Sequence, residues 1–467
     1  MRTAPEATSP EAADGLPEPA AAAPVGPGAG RRGLGVWELA WPAILGNLLY
    51  STVGFVDIKI VGSLGAPAVA AVTTGQRIFF VLQALLMAVT AGTTALVARA
   101  WGAGDRAEAE RVTRLSLGLC VAFSALLSVP AVLFAQPLAG IFRLEPGTLS
   151  LAATFIRWMS PFQALFAAGF VLQTALRAAG DTRTPLVLGA LTNVVNVLLV
   201  YTLVYGAFGM PALGVAGAAL ASGLAFTLGS AVTMGLWWRG RLVVGVGPPK
   251  ALERGRLARL LRIGTPAGLE QLVWQSGFIA FLWIVSLYGT APYAAYGIGV
   301  SILSFSFVVG FGFSIAASTL VGQHLGAADP DGAARSGWRA MALSVGVMLV
   351  FGAAIVLAAE PIARFLIDDA EVVRLTVVFI YVLGSVQVLM AIEFALGGAL
   401  RGAGDTRFPL YTVLAGLFGA RVLLSGVFAW LGLPVEWIFA ALIADYVVKA
   451  TMLTLRFRSG RWKTLPV

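Results

Sequence analysis

Residues 175–186 read ALRAAGDTRTPL and residues 399–410 read ALRGAGDTRFPL, so ten of twelve positions are identical at an offset of 224. The same offset pairs LVARAWGAGD (96–105) with LVGQHLGAAD (320–329), Pro42 with Pro266 and Gly65 with Gly289. A spacing held across separated segments means that two halves of the chain kept their length between these markers. Chance likeness of two loops would not produce it, so the chain reads as a tandem repeat of one structural unit.

What that unit can be follows from its apolarity. Of 467 residues, 58% are hydrophobic and only 12% charged, more apolar surface than a soluble fold can bury. A helix crosses the hydrocarbon core with about 20 apolar residues. Apolar runs between charged or Pro/Gly-marked breaks predict twelve helices, beginning near 36, 69, 112, 149, 184, 212, 263, 293, 338, 373, 408 and 435. Six spans between equivalent points insert both halves in the same orientation, related by a pseudo-twofold axis along the membrane normal. The predicted fold is an all-α membrane protein of two pseudo-symmetric six-helix bundles, residues 34–238 and 261–457. A cytoplasmic linker is expected at 239–260, with a short tail at 458–467. Residues 1–33, rich in Ala, Pro and Gly and without the apolar core of a signal peptide, are expected to be a disordered cytoplasmic tail.

Loop charge checks this plan independently. Arg2, Arg31 and Arg32, Arg99 to Arg114, Arg177, Arg183, the cluster from Arg239 to Arg262, Arg335, Arg339, Arg401, Arg407 and the tail from Arg456 to Lys463 all fall on one side. They make 24 of the 32 Lys and Arg residues, against Arg143, Arg364 and Arg374 on the other side. By the positive-inside rule both termini are expected to be cytoplasmic, and the membrane is expected to be the cell's inner (plasma) membrane. The net charge of +9 is then a loop property and not a sign of nucleic acid as a partner.

Several chemistries lack their residues. Cys120 has no second cysteine and His324 no second histidine, so neither a disulfide nor a metal cluster is expected. No GxxxxGK[ST] loop and no paired nucleophile and base occur, which argues against ATP-driven transport or an enzyme. The expectation is a monomer in the lipid bilayer that moves a small-molecule substrate and holds no cofactor.

Each copy of the repeated motif sits where an apolar helix meets a basic loop. Gly180 and Gly404 can end a helix, Asp181 and Asp405 can cap the next, and Pro185 and Pro409 suit a first turn. Arg177 and Arg401 can snorkel or pair with those aspartates, and with Arg183 and Arg407 they form a gate or scaffold motif.

Ionisable groups within spans are costly, about 2.5–3.5 kcal/mol each on insertion scales, so each needs a reason. They are Asp57, Arg157, Glu270, Glu393, Arg421, Asp445 and Lys449. Asp57 lies two-thirds along the first helix and its repeat counterpart is Phe281. It is a candidate site for a proton or metal cation, with a salt bridge to Lys59 or to another helix as the alternative. Asn193 and Asn196 share a face of the fifth helix and complete a polar wall or bond to a neighbouring helix. Glu270 with Gln271 and Gln275, together with Glu393 and Arg421, would line a substrate cavity suited to a cationic amphiphile, or serve interhelical hydrogen bonds. Asp445 and Lys449, four apart, read as a local ion pair.

The segments FVDIKIVGSLG (55–65) and FGFSIAASTLVGQHLGAADP (311–330), with the duplicated LRxAGDTR, resemble the multidrug and toxic compound extrusion (MATE) family, especially its DinF-like branch. That resemblance covers roughly residues 36–457. It implies two bundles in a V around a central cavity, with H+ or Na+ entry driving export of lipophilic, often cationic, molecules. It further implies that Asp57 couples the cation, with Asn196 at the first position of the family's Asn-x-x-x-Asp and Na+ a candidate ligand near Asp57. Here the second position is Val200, and Trp274 stands where some members carry a glutamate. The alternative activity is a flippase for a lipid-linked precursor, which would favour a basic cavity.

Overall fold

The computed structural model describes residues 35–247 and 253–465; the expected disordered tail and linker residues 248–252 lie outside them. The described chain is helical, with twelve long helices: α1 Val36–Gly62, α2 Ala66–Gly102, α3 Arg106–Leu133, α4 Pro146–Ala178, α5 Arg183–Tyr205 and α6 Gly214–Trp238 in the first half. The second half contributes α7 Arg254–Ser286, α8 Thr290–Gly326, α9 Pro330–Leu357, α10 Ala370–Gly402, α11 Arg407–Trp430 and α12 Val435–Arg458. Eleven are long and apolar enough to cross a membrane, and α2 has the same length, 37 residues, as its counterpart α8, one of the eleven.

The predicted and observed starts coincide at 36 and 435, but α3, α7 and α9 begin earlier than hydropathy indicates, at Arg106, Arg254 and Pro330. Their first turns are polar, so apolar periodicity does not mark them, and α3 and α9 start from side-chain caps while α7 has none. Asp105 accepts the backbone N–H of Glu108 at 2.8 Å and Asp329 that of Gly332 at 2.7 Å, satisfying donors the first turn leaves unpaired. Gly332 and then His324 hold the Asp329 carboxyl below the ordinary aspartate value. Arg254 falls inside the segment expected to be linker, so the helix takes over part of that connection.

The repeat is visible in the backbone itself. From α2 to α5, every helix start recurs 224 residues later, as do the ends of α1 to α4. The turns repeat as well: Gly65 and Gly289 have φ of 98° and 100°, and Gly180 and Gly404 have 93° and 86°. A left-handed turn favours glycine because it lacks a Cβ. The Gly104 turn (φ 75°) recurs at Ala328 (φ 56°), where an L side chain takes the strained conformation.

The two halves join at the end of the molecule that carries the motif loops, called the basic end below. Gly102 packs against the backbone of Gln323, and Gly326 against the backbone of Arg99. Because 102 and 326, and 99 and 323, are repeat partners, this is one contact made twice across the pseudo-axis. A side chain at either glycine would overlap the opposite helix. The second half has a larger aromatic core, with Phe281, Tyr296, Phe379 and Phe439 in successive edge-to-face or tilted contact at 5.0–5.4 Å. The first half packs mostly Ala and Val, including Val61, Ala71, Ala152 and Val200.

Candidate functional site

Helices α1 and α5 bring Asp57 and Asn196 together. The Asn196 Nδ2 donates to both carboxylate oxygens of Asp57, at 2.8 and 3.1 Å. Asn196 is 3% exposed and its Oδ1 is buried with no hydrogen-bond partner among the described residues. Asn193 is buried one turn earlier on the same helix. Asp57 has no ion pair to Lys59; its described partner is a neutral amide. A carboxylate and an unfilled carbonyl oxygen thus lie side by side in an apolar span, a donor set suited to a proton or a small hard cation.

The acids of the second half are placed differently, because each has a cation. Glu270 on α7 pairs with Arg401 at the end of α10. Glu393 on α10 lies 3.3 Å from Lys449 Nζ, which is also 3.2 Å from Asp445 one turn earlier on α12. Arg421 on α11 pairs with Asp445, and Asp445 and Lys449 are fully enclosed. Glu270, Glu393 and Arg421 thus make interhelical ion pairs, the alternative that the sequence left open beside the lining of a substrate cavity. At low local dielectric an unpaired charge costs several kcal/mol, so facing helices neutralise one another. The local Asp445–Lys449 pair is present as expected, extended at both ends.

The motif residues separate in role. Arg401 reaches into the bundle to Glu270, and Asp405 is taken by Arg456 at 2.8 Å, so the expected Arg–Asp pairing across the loop does not form. Arg177 finds glycine, Gly46, at the position of Glu270, and its Nη2 lies 3.4 Å from Thr174 Oγ1. Asp181 caps α5 through the backbone N–H of Thr184 at 2.9 Å, as expected. Arg183 and Arg407 are exposed at the starts of α5 and α11.

Side chains absent from the expected set join the two halves at the basic end. Arg99 donates to the Ala403 carbonyl at 2.8 Å and to Leu465 O at 3.3 Å. Gln323, its repeat partner, donates to Ala178 O at 2.9 Å, and Thr319 donates to Arg177 O at 3.0 Å. Each half therefore clasps the motif loop of the other. Arg256 adds a two-pronged bond to Glu108 at 2.8 and 2.9 Å, joining α7 to α3. The offset alignment of 96–105 with 320–329 already paired Arg99 with Gln323, and that was the available signal.

A cavity of about 660 Å³ opens between α1, α8, α9 and the short helix Ala359–Leu366, lined by Phe55, Phe305, Phe351, Ile355 and Phe365 among others, with Ser301 its one hydroxyl. Phe55 and Phe305 stack across the halves at 6.4 Å. Gln271 and Gln275, half-buried on α7, do not line it.

Comparison with known proteins places this arrangement. The MatE family model matches residues 42–202 and again 266–427, the same two halves. A probable multidrug resistance protein NorM of Thermotoga maritima is 31% identical over 436 residues, covering 91% of this chain and 92% of that protein. A second, from Burkholderia mallei, is 31% identical over 458 residues, covering 94% and 95%. Among solved structures, a MOP superfamily transporter from Pyrococcus furiosus superposes with a TM-score of 0.85 at 20% identity, covering 91% of this chain and 94% of that one. A Vibrio cholerae MATE transporter gives 0.84 at 21%, covering 92% and 98%. The chain belongs to the MatE family, the multidrug and toxic compound extrusion family that its repeated motif and first helix resemble.

Proposed function

We propose that this protein is a secondary active exporter of lipophilic, often cationic, small molecules, driven by inward movement of H+ or Na+ through a site at Asp57. One observation carries the coupling role. Of the four acids at depth in the spans, Glu270, Glu393 and Asp445 each have a cation from the chain, and Asp57 has an amide. Its charge is left to be met from outside, by a proton or a metal cation, with Asn196 Oδ1 as a second ligand. Val200, where some relatives carry an acid, leaves Asp57 alone in the first half.

The loop charges favour the basic end as cytoplasmic, with both termini there. On that orientation, the clasps of Arg99, Gln323 and Arg256 belong to a state closed to the cytoplasm, and the apolar cavity beside Phe55 lies toward the outside. A cation arriving at Asp57 would bias this state toward one that has released those clasps. The near-neutral balance of the second half and the apolar cavity between the halves favour a lipophilic cargo over a pyrophosphate-bearing one.

Two readouts on Asp57→Asn test this. In cells challenged with a lipophilic cation, the variant should express normally and confer no resistance beyond the empty vector. In membrane vesicles it should lose cation-driven export. Export at the wild-type rate in both would remove the coupling role.

A further inference from the structure

The second half contains the counterpart of the Asp57–Asn196 site, hidden by a one-residue insertion. Helices α5 and α11 start 224 residues apart, but α5 has 23 residues and α11 has 24. The extra residue is absorbed in Leu414–Val422, where the backbone winds with the wider i→i+5 spacing of a π-helix. Past the insertion the offset becomes 225, which makes Arg421 the counterpart of Asn196. Contacts agree. Asn196 reaches Asp57, and the Arg421 guanidinium lies over Phe281 at 5.6 Å, Phe281 being the 224-offset partner of Asp57.

So where the first half sets an amide beside a carboxylate, the second sets a guanidinium over a phenyl ring. The acid that Arg421 answers comes from α12, as Asp445, with Lys449 between Asp445 and Glu393. The Tyr446 ring lies 5.6 Å from Arg421 and 5.1 Å from Lys449. Two carboxylates and two cations balance. Without Arg421 the cluster would carry one uncompensated negative charge, which is the condition of the first half. The wide turn sets the register, because one residue fewer would rotate Arg421 by about 100° around the helix.

We propose that Arg421 is a tethered cation that occupies the second half's version of the coupling site, so that the protein takes a single coupling cation per cycle, at Asp57 alone. The inference rests on the Asp57 reading above. An ion bound at Asp57 exchanges with solvent, whereas a guanidinium fixed to α11 cannot leave, and arginine stays charged throughout the working pH range.

The test counts cations on the purified full-length protein in detergent, by 22Na+ binding and by proton uptake on acidification. Four chains are compared: wild type, Asp57→Asn, Arg421→Gln and Asp57→Asn/Arg421→Gln. Asp57→Asn should lose one bound cation relative to wild type, and adding Arg421→Gln in that background should restore one. Arg421→Lys in the same background, which keeps the charge, should restore none. Equal counts for Asp57→Asn and the double variant overturn the proposal. Equal counts for wild type and Asp57→Asn instead overturn the Asp57 reading, and the two failures are distinct. If the Arg421→Gln chains do not elute as folded protein, the wild type still decides. Its coupling ratio, from the ion gradient that just balances a fixed substrate gradient in proteoliposomes, should be one cation per substrate, and a ratio of two overturns the proposal.

Discussion

Replacing Glu270 with Gln removes the carboxylate that Arg401 reaches into the bundle to meet. Loss of one partner from a buried pair costs about 3–5 kcal/mol, because the other charge stays enclosed. Here the Arg401 side chain keeps 31% exposure and Glu270 keeps 12%, so solvent screening lowers the expected loss to about 2–3 kcal/mol. A double-mutant cycle isolates the pair: Glu270→Gln, Arg401→Gln and both together, unfolded reversibly in mixed micelles. The double variant should be no less stable than the worse single, giving a coupling energy of about 1–3 kcal/mol. If Glu270→Gln stayed within about 0.5 kcal/mol of wild type and instead lost binding of a lipophilic cation, Glu270 would be a cargo ligand and the ion-pair account would be wrong.

Other substitutions probe the backbone and the clasp. Ala328→Gly should stabilise the protein by about 0.5–1 kcal/mol, since it relieves a left-handed alanine where the first half has glycine, and a higher unfolding midpoint checks it. Gly102→Val should prevent close approach to Gln323, which cysteine labelling beside the clasp would register as increased reactivity at the basic end. Trp462, fully buried against Phe457 at 4.6 Å, anchors the C-terminal segment whose Leu465 carbonyl meets Arg99. Trp462→Ala should cost about 3–5 kcal/mol and loosen the same end in the labelling assay.

Much of the fold was legible because two regularities were. Hydropathy located the twelve long helices, eleven of them apolar enough to span a membrane, and the repeat related them, down to turns such as Gly180 and Gly404. The early starts of α7 and α9 were not legible, since a polar first turn outside the bilayer carries no apolar signal. Within the site, Asp57 and Asn196 were each readable as a polar residue in an apolar span, and only the family resemblance linked them; their direct bond came from the structure. The Glu270–Arg401 pair was not, because partners 131 residues apart leave no local pattern, although each buried charge required some partner. The counterpart relation of Arg421 to Asn196 was masked by a single inserted residue, which a constant offset of 224 steps over and only the widened turn discloses.

The central claim is that an external cation meets the charge of Asp57 and that this drives export. Flux of a lipophilic cation in proteoliposomes, with the Na+ gradient and the pH gradient imposed separately, tests it most directly. Wild-type protein should accumulate or expel the substrate in response to one of the two gradients, and Asp57→Asn should respond to neither while remaining folded. Gradient-driven flux that survives intact in Asp57→Asn would contradict the account.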